Sequence, residues 1–435
     1  MAHLSPLSYR SLLSSLANAA TRLQQARYLV QSIYDLRLKP VNQFNVSATT
    51  HCRTLEALAE SLDEFVRSVE RWCAEHEEEL FHSQRGHGKQ LVVSLLGFES
   101  SLRQRMADVL EVVDAVLRKL THKAVAAPVM PNHGPLPVHA NDFTFYRPSI
   151  LSTLILDGLF AAIREQLSMG ETATSQGLLS IFTHTAQPIW SSIGRWLRDG
   201  MDAVEDEEIH AMQDEELFIE KGEVPLGSPD FWDEGYRLRR VVEDADHSTP
   251  AQQRDAVPEV FQVIAQDVLA AGKEVGLLRA MGLDTPASLR MQEHKWLPFK
   301  QLYARSEENA SREVELAILS FAGECQVLDA TAGMRWASGA LVATVQDYAV
   351  SVCREAHSDL IRVLKEDCEL SRHLSGMQAL FFMRRGDILS EWCDSVFAKV
   401  CLEAEVLLIY LTNPRSTHGS GGATSTSSTA RSKIS

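Results

Sequence analysis

The sequence has 435 residues, of which 45% are hydrophobic and 23% are charged, values typical of a globular protein with a sizeable core. It contains 42 Lys and Arg against 58 Asp and Glu, so its net charge is −16. Nucleic acids and anionic membranes are bound chiefly through Lys and Arg, so this balance excludes a protein that coats nucleic acid and disfavours one that lies on a membrane. The seven Cys have no C-x-x-C spacing, which predicts buried, reduced thiols rather than a disulfide framework.

Helical periodicity dominates the chain. Apolar residues recur every three to four positions over 55–80 and over 91–120, which predicts one amphipathic helix in each range. No convincing alternation of period two is present. The predicted fold class is therefore all-α, built of elongated helical bundles. Further helical patterns cover 149–168, 174–199, 257–272, 311–330, 338–370 and 374–411.

Three segments interrupt this helical pattern. Residues 124–148 contain five prolines, which predicts an extended connector. Residues 200–256 combine acidic runs with Gly, Pro and aromatic residues, which indicates an insert in the first domain. Residues 412–435 consist mostly of Ser, Thr and Gly, and such a composition buries too little surface to fold, so we predict a disordered tail.

Motifs that resemble catalytic or metal-binding signatures fail on their spacing. The string His76–His82 contains two His, but a zinc-protease helix needs its second His at the position of Leu80. The pair Cys353 and His357 has no matching second pair of ligands. We therefore predict no catalytic residue, no metal site and no cofactor, and an enzyme is the least favoured class.

The acidic run from Asp202 to Glu223 holds ten carboxylates and one Lys, without the ligand order of an EF-hand. Two interpretations stay open for it: a solvated loop, or an electrostatic docking surface for a basic partner. Aromatic residues in and around this run are predicted to pack onto the core as scaffold, and Trp232 is one of them. The carboxylates assigned to the run include Asp206, Glu207, Glu208, Asp214, Glu215 and Glu216.

Several short motifs follow one another in a fixed order. A helix ends in Trp-Leu-x-x-Gly at 196–200, and Glu-Leu-Phe-Ile follows at 216–219. Phe-Trp-x-x-x-Tyr occupies 231–236, and a segment then begins with Val-Pro at 257–258 and ends with Ala-Gly-Lys at 271–273. Further along, the string from Met377 leads into a Gly-Asp turn. The motif positions are Trp196, Gly200, Phe218, Phe231, Trp232, Tyr236, Pro258, Gly272, Lys273, Gly386 and Asp387.

In this order, the motifs resemble the gamma-tubulin complex component family, the grip-motif proteins of the microtubule-nucleating complex, and are most similar to the component-five-type paralogues. The resemblance implies a first grip domain over 1–350 and the beginning of a second over 351–411. It also implies a chain truncated at both ends. An incomplete second domain is expected to leave an exposed apolar patch, formed by Ile388, Trp392, Val396 and Val400.

The resemblance implies a non-catalytic structural subunit that contributes lateral contacts to the template for microtubule nucleation. The implied partners are other gamma-tubulin complex components, gamma-tubulin, and microtubule minus ends through the complex. Truncation of the second domain argues against direct binding of gamma-tubulin. The implied location is the cytoplasm and cytoskeleton, at a microtubule organising centre such as a spindle pole body or centrosome. The alternative is a generic all-α interaction scaffold or tether, which shares the helical stripes but does not predict the order of the motifs.

Overall fold

The structure is a computed structural model, and its chain divides into two compact units, Met1–Ile361 and Arg362–Ser435, which are described separately. The acidic residues 202–215, most of the proline-rich connector, most of the predicted helix 311–330 and the tail from 413 onwards lie outside the described residues. The structure describes residues 5–38, 52–84, 94–106, 108–124, 138–144, 146–201, 216–242, 253–282, 296–306, 308, 330–381 and 386–412.

The first unit begins with helices α1 (Pro6–Leu38) and α2 (Arg53–Gln84), which pack against each other. The apolar stripe predicted over 55–80 is the buried face of α2, where Leu58 and Leu62 are almost completely buried. Charged residues occupy the opposite face, as at the exposed Glu77. The helix therefore follows from its periodicity, because one face is covered by neighbouring helices and the other meets water.

Five further helices complete the bundle around α2. They are α3 (Leu95–Met106), α4 (Val109–Ala124), α5 (Pro148–Met169), α6 (Thr172–Thr185) and α7 (Gln187–Asp199). Helix α2 packs on α6 and α7, whereas α5 packs on α4 and α6. A short 3₁₀ helix, Ala140–Phe143, packs on α1 and α4.

Two predicted single helices are each divided in the structure. The stripe over 91–120 forms α3 and α4, with Asp108 in a turn before α4 and its carbonyl accepting from the Val112 N–H. The pattern over 174–199 forms α6 and α7, with the break at Ala186. Pro188 lies in the first turn of α7, where its missing N–H costs no intrahelical hydrogen bond. Apolar periodicity continues across both breaks and therefore does not reveal them.

The insert between α7 and the next long helix contains four strands of three residues each. Strand β1 (Ile219–Lys221) pairs antiparallel with β2 (Tyr236–Leu238), and β3 (Arg240–Val242) pairs antiparallel with β4 (Gln253–Asp255). Strands this short show too little alternation to be predicted. Among the described residues these two ribbons are the only β-structure, so the all-α prediction is confirmed.

The rest of the first unit is again helical. A 3₁₀ turn, Glu259–Phe261, leads into α8 (Ala265–Ala280), and residues 299–306 are helical. Helix α9 (Ala330–Glu366) begins in the first unit and passes the boundary between Ile361 and Arg362. Its buried residues Leu341, Val345 and Ala349 belong to the same hydrophobic core as α2, α5 and α7.

The second unit contains α10 (Leu370–Phe381) and α11 (Gly386–Thr412), which pack against each other. The pattern predicted as one helix over 374–411 is thus divided between them. Helix α11 exposes the apolar side chains expected there, with exposed fractions of 51% for Ile388, 60% for Trp392 and 55% for Val400.

We predict that replacing Leu58 by Ala lowers the free energy of unfolding of the first unit by about 2–5 kcal/mol, because the side chain is fully buried and its loss leaves a cavity. Chemical denaturation of the full chain measures this change. The matched control is Leu96→Ala on α3, where the side chain is 56% exposed and the expected change is at most about 0.5 kcal/mol. Equal effects of the two variants would show that α2 does not bury this face.

Candidate functional site

The motif residues of the first unit meet where the end of α7 crosses α8. The indole of Trp196 is fully buried, and its Nε1–H donates to the carbonyl of Val268 at 2.9 Å. A Cβ atom placed on Gly272 would lie 2.0 Å from this Nε1. The indole therefore lies directly on the backbone of α8, and only glycine at position 272 leaves room for it.

Gly200 ends α7 in a second close contact with α8. Its φ of 61° is one that L side chains rarely adopt, and a Cβ placed on it would lie 2.5 Å from the Gly276 nitrogen. The guanidinium of Arg279 donates to the carbonyl of Arg198 at 3.1 Å and to that of Asp199 at 3.3 Å. The last carbonyls of α7 are thus satisfied from α8, as helix ends require.

The β1–β2 hairpin covers the outer side of the Trp196 indole. Tyr236, which is buried, places its ring centroid 5.3 Å from that of Trp196, and Phe231 lies 6.0 Å from Tyr236. Phe218, just before β1, is also buried, and its carbonyl accepts from the Arg239 N–H at 2.8 Å. The conformation of the hairpin therefore depends on the aromatic cluster against which it packs.

Lys273, next to Gly272, ties the turn before β2 to α8. It is only 5% exposed, and its Nζ donates to the carbonyl of Trp232 and lies 5.7 Å from the centroid of that indole. Desolvation lowers the pKa of Lys273, whereas the nearby Asp233 raises it. The ammonium group is thus held by a carbonyl and an aromatic face, and the nearby Asp233 carboxylate favours its charged form, so part of the cost of removing it from water is recovered.

The prediction that Trp232 packs into the core is wrong, because its side chain is 43% exposed. Phe231 and Trp232 are consecutive residues of the π-helical turn Phe231–Gly235, and consecutive residues of a helical turn project in different directions. The side chain of Phe231 points inward and packs against the core, whereas that of Trp232 points to the surface.

Pro258 lies in a segment that is docked onto α5 by polar contacts. Thr153 donates through Oγ1 to the carbonyl of Ala256 at 3.1 Å, and the N–H of Glu259 donates to Asp157 Oδ1 at 2.7 Å. Arg164 holds the Glu259 carboxylate with two hydrogen bonds of 2.7 and 2.9 Å. Burial raises the pKa of Asp157 to about 6. Pro258 itself is buried, so this motif position is structural.

A tryptophan pair, Trp190 and Trp296, lies outside the sequence motifs. Trp190 is fully buried and donates through Nε1 to the carbonyl of Leu297 at 2.8 Å, while Trp296 donates back to the Trp190 carbonyl at 3.1 Å. Their rings lie 4.6 Å apart. The apolar string Trp-Leu-Pro-Phe at 296–299 was the available signal, since such a string in a connecting segment has to be buried.

Glu216 is not part of a solvated acidic surface, contrary to its assignment to the acidic run. The residue is 5% exposed, and its carboxylate accepts from the Thr54 N–H and from Thr54 Oγ1, each at 3.3 Å, at the first turn of α2. Burial raises its pKa to about 7, whereas hydrogen bonds from Cys52 and Thr54 act in the opposite direction. Glu216 thus joins the start of the hairpin segment to the beginning of α2.

The remaining motif residues, Gly386 and Asp387, lie in the second unit at the first turn of α11, where Asp387 is exposed. The role of all eleven motif positions as family determinants stays a prediction.

Residues that could bind a metal ion do not cluster in the described part of the chain. No group of three or more His, Cys, Asp or Glu there could hold a metal ion. His357 Nδ1 lies 2.8 Å from Oε1 of the buried Glu274, so it serves a contact between α9 and α8. The six described Cys are free thiols; Cys52 and Cys353 are buried as predicted, whereas Cys368 and Cys401 are exposed. No helix among the described residues is long and apolar enough to span a bilayer.

The region that contains this cluster matches a known protein family. The family model described as gamma tubulin complex component N-terminal matches residues 1–367, which is most of the chain. A search of curated proteins gave no significant match. The matched region includes the whole first unit and ends at the C-terminal end of α9.

We predict that Gly272→Ala lowers the free energy of unfolding by about 1–3 kcal/mol, because the added methyl group overpacks the contact with Trp196. The matched control is Gly339→Ala in α9, where a Cβ atom meets nothing within 4 Å and the higher helix propensity of Ala should add about 0.5–1 kcal/mol. Denaturant unfolding of both variants measures these changes in the free energy of unfolding, which should have opposite signs. A stabilising Gly272→Ala would contradict the proposed contact.

The buried Glu216 predicts a pH-dependent stability. Its pKa is about 7 in the folded chain against an ordinary value of 4.5, so folded chains keep the proton that unfolded chains lose between these pH values. The free energy of unfolding should therefore fall by about 3 kcal/mol as pH rises from about 4.5 to 7, relative to the Glu216→Gln variant, which does not titrate. Denaturation of both proteins over this pH range measures the difference.

The control for this experiment is Glu77→Gln, which removes a carboxylate from the exposed face of α2. A difference between wild type and Glu216→Gln that stays constant with pH would show that folding does not raise the pKa of the Glu216 carboxyl.

Proposed function

Because the chain belongs to the gamma-tubulin complex component family, we propose that it is a non-catalytic structural subunit of the gamma-tubulin complex, contributing lateral subunit contacts to the template for microtubule nucleation. The observation that carries the proposal is the family match over 1–367, together with the cluster in which Trp196, Gly200, Tyr236, Gly272 and Lys273 meet. A generic all-α scaffold would not require these residues to meet.

The proposed mechanism is geometric. In the described residues, the buried Glu216 and Lys273 and the half-buried Asp157 each connect two segments of the fold, and they do not converge on a shared pocket. Rigid helical bundles can hold a fixed spacing, and side-by-side contacts between non-identical surfaces propagate into rings or helices. A subunit of this kind sets the rotation between its neighbours, so that gamma-tubulins match the microtubule lattice.

The proposed cellular setting follows from this role. The chain would act in the cytoplasm at a microtubule organising centre, such as a spindle pole body or centrosome, and would reach microtubule minus ends through the complex. We propose other gamma-tubulin complex components as its direct neighbours. The division of the chain into a first grip domain over 1–350 and the beginning of a second over 351–411 is part of the same proposal, as is the similarity to the component-five-type paralogues.

Affinity capture of the tagged full chain from extracts of its own cells, followed by mass spectrometry, tests this role. Gamma-tubulin and other complex components should be enriched over a capture with the tag alone. Chemical cross-linking before capture distinguishes direct neighbours from indirect ones, and we expect cross-links to other components. Recovery of neither gamma-tubulin nor another component would contradict the proposal.

We predict that the contact surface for neighbours includes α1. Tyr9 and Leu13 are 49% and 45% exposed and lie four residues apart, hence on one face of the helix. The double variant Tyr9→Asp, Leu13→Asp should reduce recovery of other components at least severalfold while leaving the melting temperature within a few degrees, because both side chains already face solvent. The matched control is Met169→Asp at the end of α5, which is 64% exposed. Equal recovery with both proteins would exclude this face.

A further inference from the structure

Trp232 combines a large exposed indole with an ordered backbone. Its side chain is 43% exposed, and Leu226 in the preceding loop is 46% exposed. The neighbouring aromatic residues are covered: Tyr236 is buried, and Phe231 packs against the core. Exposed Trp side chains of this kind are enriched at the centres of protein interfaces, because a rigid ring offers much contact area at a small entropic cost.

The contact with Lys273 holds this indole before any partner arrives. The buried ammonium group donates to the Trp232 carbonyl and lies 5.7 Å from the ring centroid. Helix α8 carries Lys273 and is itself fixed by the Trp196–Gly272 contact. Because backbone and ring are both held from the inside, binding at the outer side of the indole would lose little conformational entropy.

The charges around the indole indicate the chemistry of the partner. The segment 222–236 contains four carboxylates, Glu223, Asp230, Asp233 and Glu234, and no Lys, Arg or His. Exposed Lys221 and Arg237 border it, and Arg237 pairs with Glu220 at 2.7 Å. All four acidic residues are exposed. Lys273 of α8 is buried beneath the turn and its charge acts on the nearby Asp233, while all four carboxylates stay exposed to solvent. An exposed aromatic ring beside carboxylates matches a guanidinium group, which stacks on aromatic faces and pairs with carboxylates.

We propose that Trp232 and these four carboxylates form a docking surface for an Arg-containing segment of another protein chain. One guanidinium stacks on the exposed part of the indole, and neighbouring cationic groups of the segment pair with the carboxylates. A second copy of this chain is disfavoured as the occupant, because it carries the same acidic turn and a net charge of −16. The inference does not rest on the proposed subunit role, and it concerns a different surface from α1.

The test measures binding of a fluorescein-labelled octa-arginine peptide to the full chain by fluorescence anisotropy at low salt. Trp232→Ala should weaken binding by about two- to fivefold, the change expected from loss of one exposed cation–π contact. The matched control is Trp392→Ala in the second unit, another exposed Trp, which should leave binding within twofold. The double variant Asp230→Asn, Glu234→Gln should also weaken binding. A labelled octa-glutamate peptide should not bind.

Melting curves of the variants establish that each one is folded. Trp232→Phe keeps an aromatic face and should therefore bind the peptide more tightly than Trp232→Ala. Equal binding by wild type and Trp232→Ala would overturn the proposal, because the peptide would then bind through charge elsewhere on the chain. A dimer detected by sedimentation and lost in Trp232→Ala would also overturn it and would assign the surface to a second copy.

Discussion

The contact between the Trp196 indole and the backbone of α8 is the constraint on which the rest of this region depends. An indole can lie directly on a helix only where a glycine removes the side chain beneath it, and Gly272 does so here. The same close approach continues at Gly200 and Gly276, where the two backbones meet. A larger residue at any of these positions would separate α7 from α8, and the hairpin that packs on Trp196 through Tyr236 would lose its support.

Polar groups reinforce this packing at points where distant segments meet. Lys273 holds the turn before β2, Glu216 joins the start of the hairpin segment to α2, and Asp157 receives the N–H of Glu259. Each group is removed from water, so each is costly unless its partners are in place. Such contacts specify one arrangement of the segments.

The sequence predicted helices well where a single stripe was buried along one continuous helix. Helix α2 is an example, because Leu58, Leu62, Val66 and Val69 all face its neighbours. The same reasoning failed at the breaks near Asp108 and Ala186, since the apolar period is the same before and after each break. It also failed for Trp232, because the direction in which a turn points its side chains is not contained in the spacing of aromatic residues.

The sequence by itself determined the all-α class and the helical stripes, and the order of its motifs predicted the family that the match over residues 1–367 shows. The helical stripes are local and can be read within a few turns of chain, and the order of the motifs can be read along the chain without knowledge of long-range contacts. Only the tertiary structure decided that Glu216 is buried, that Trp190 and Trp296 form a pair, and that Trp232 faces solvent. The physical reason is that the burial of a side chain depends on the residues that pack against it. Glu216 contacts Thr54 and Trp190 contacts Trp296, and more than 100 residues of chain separate the members of each pair.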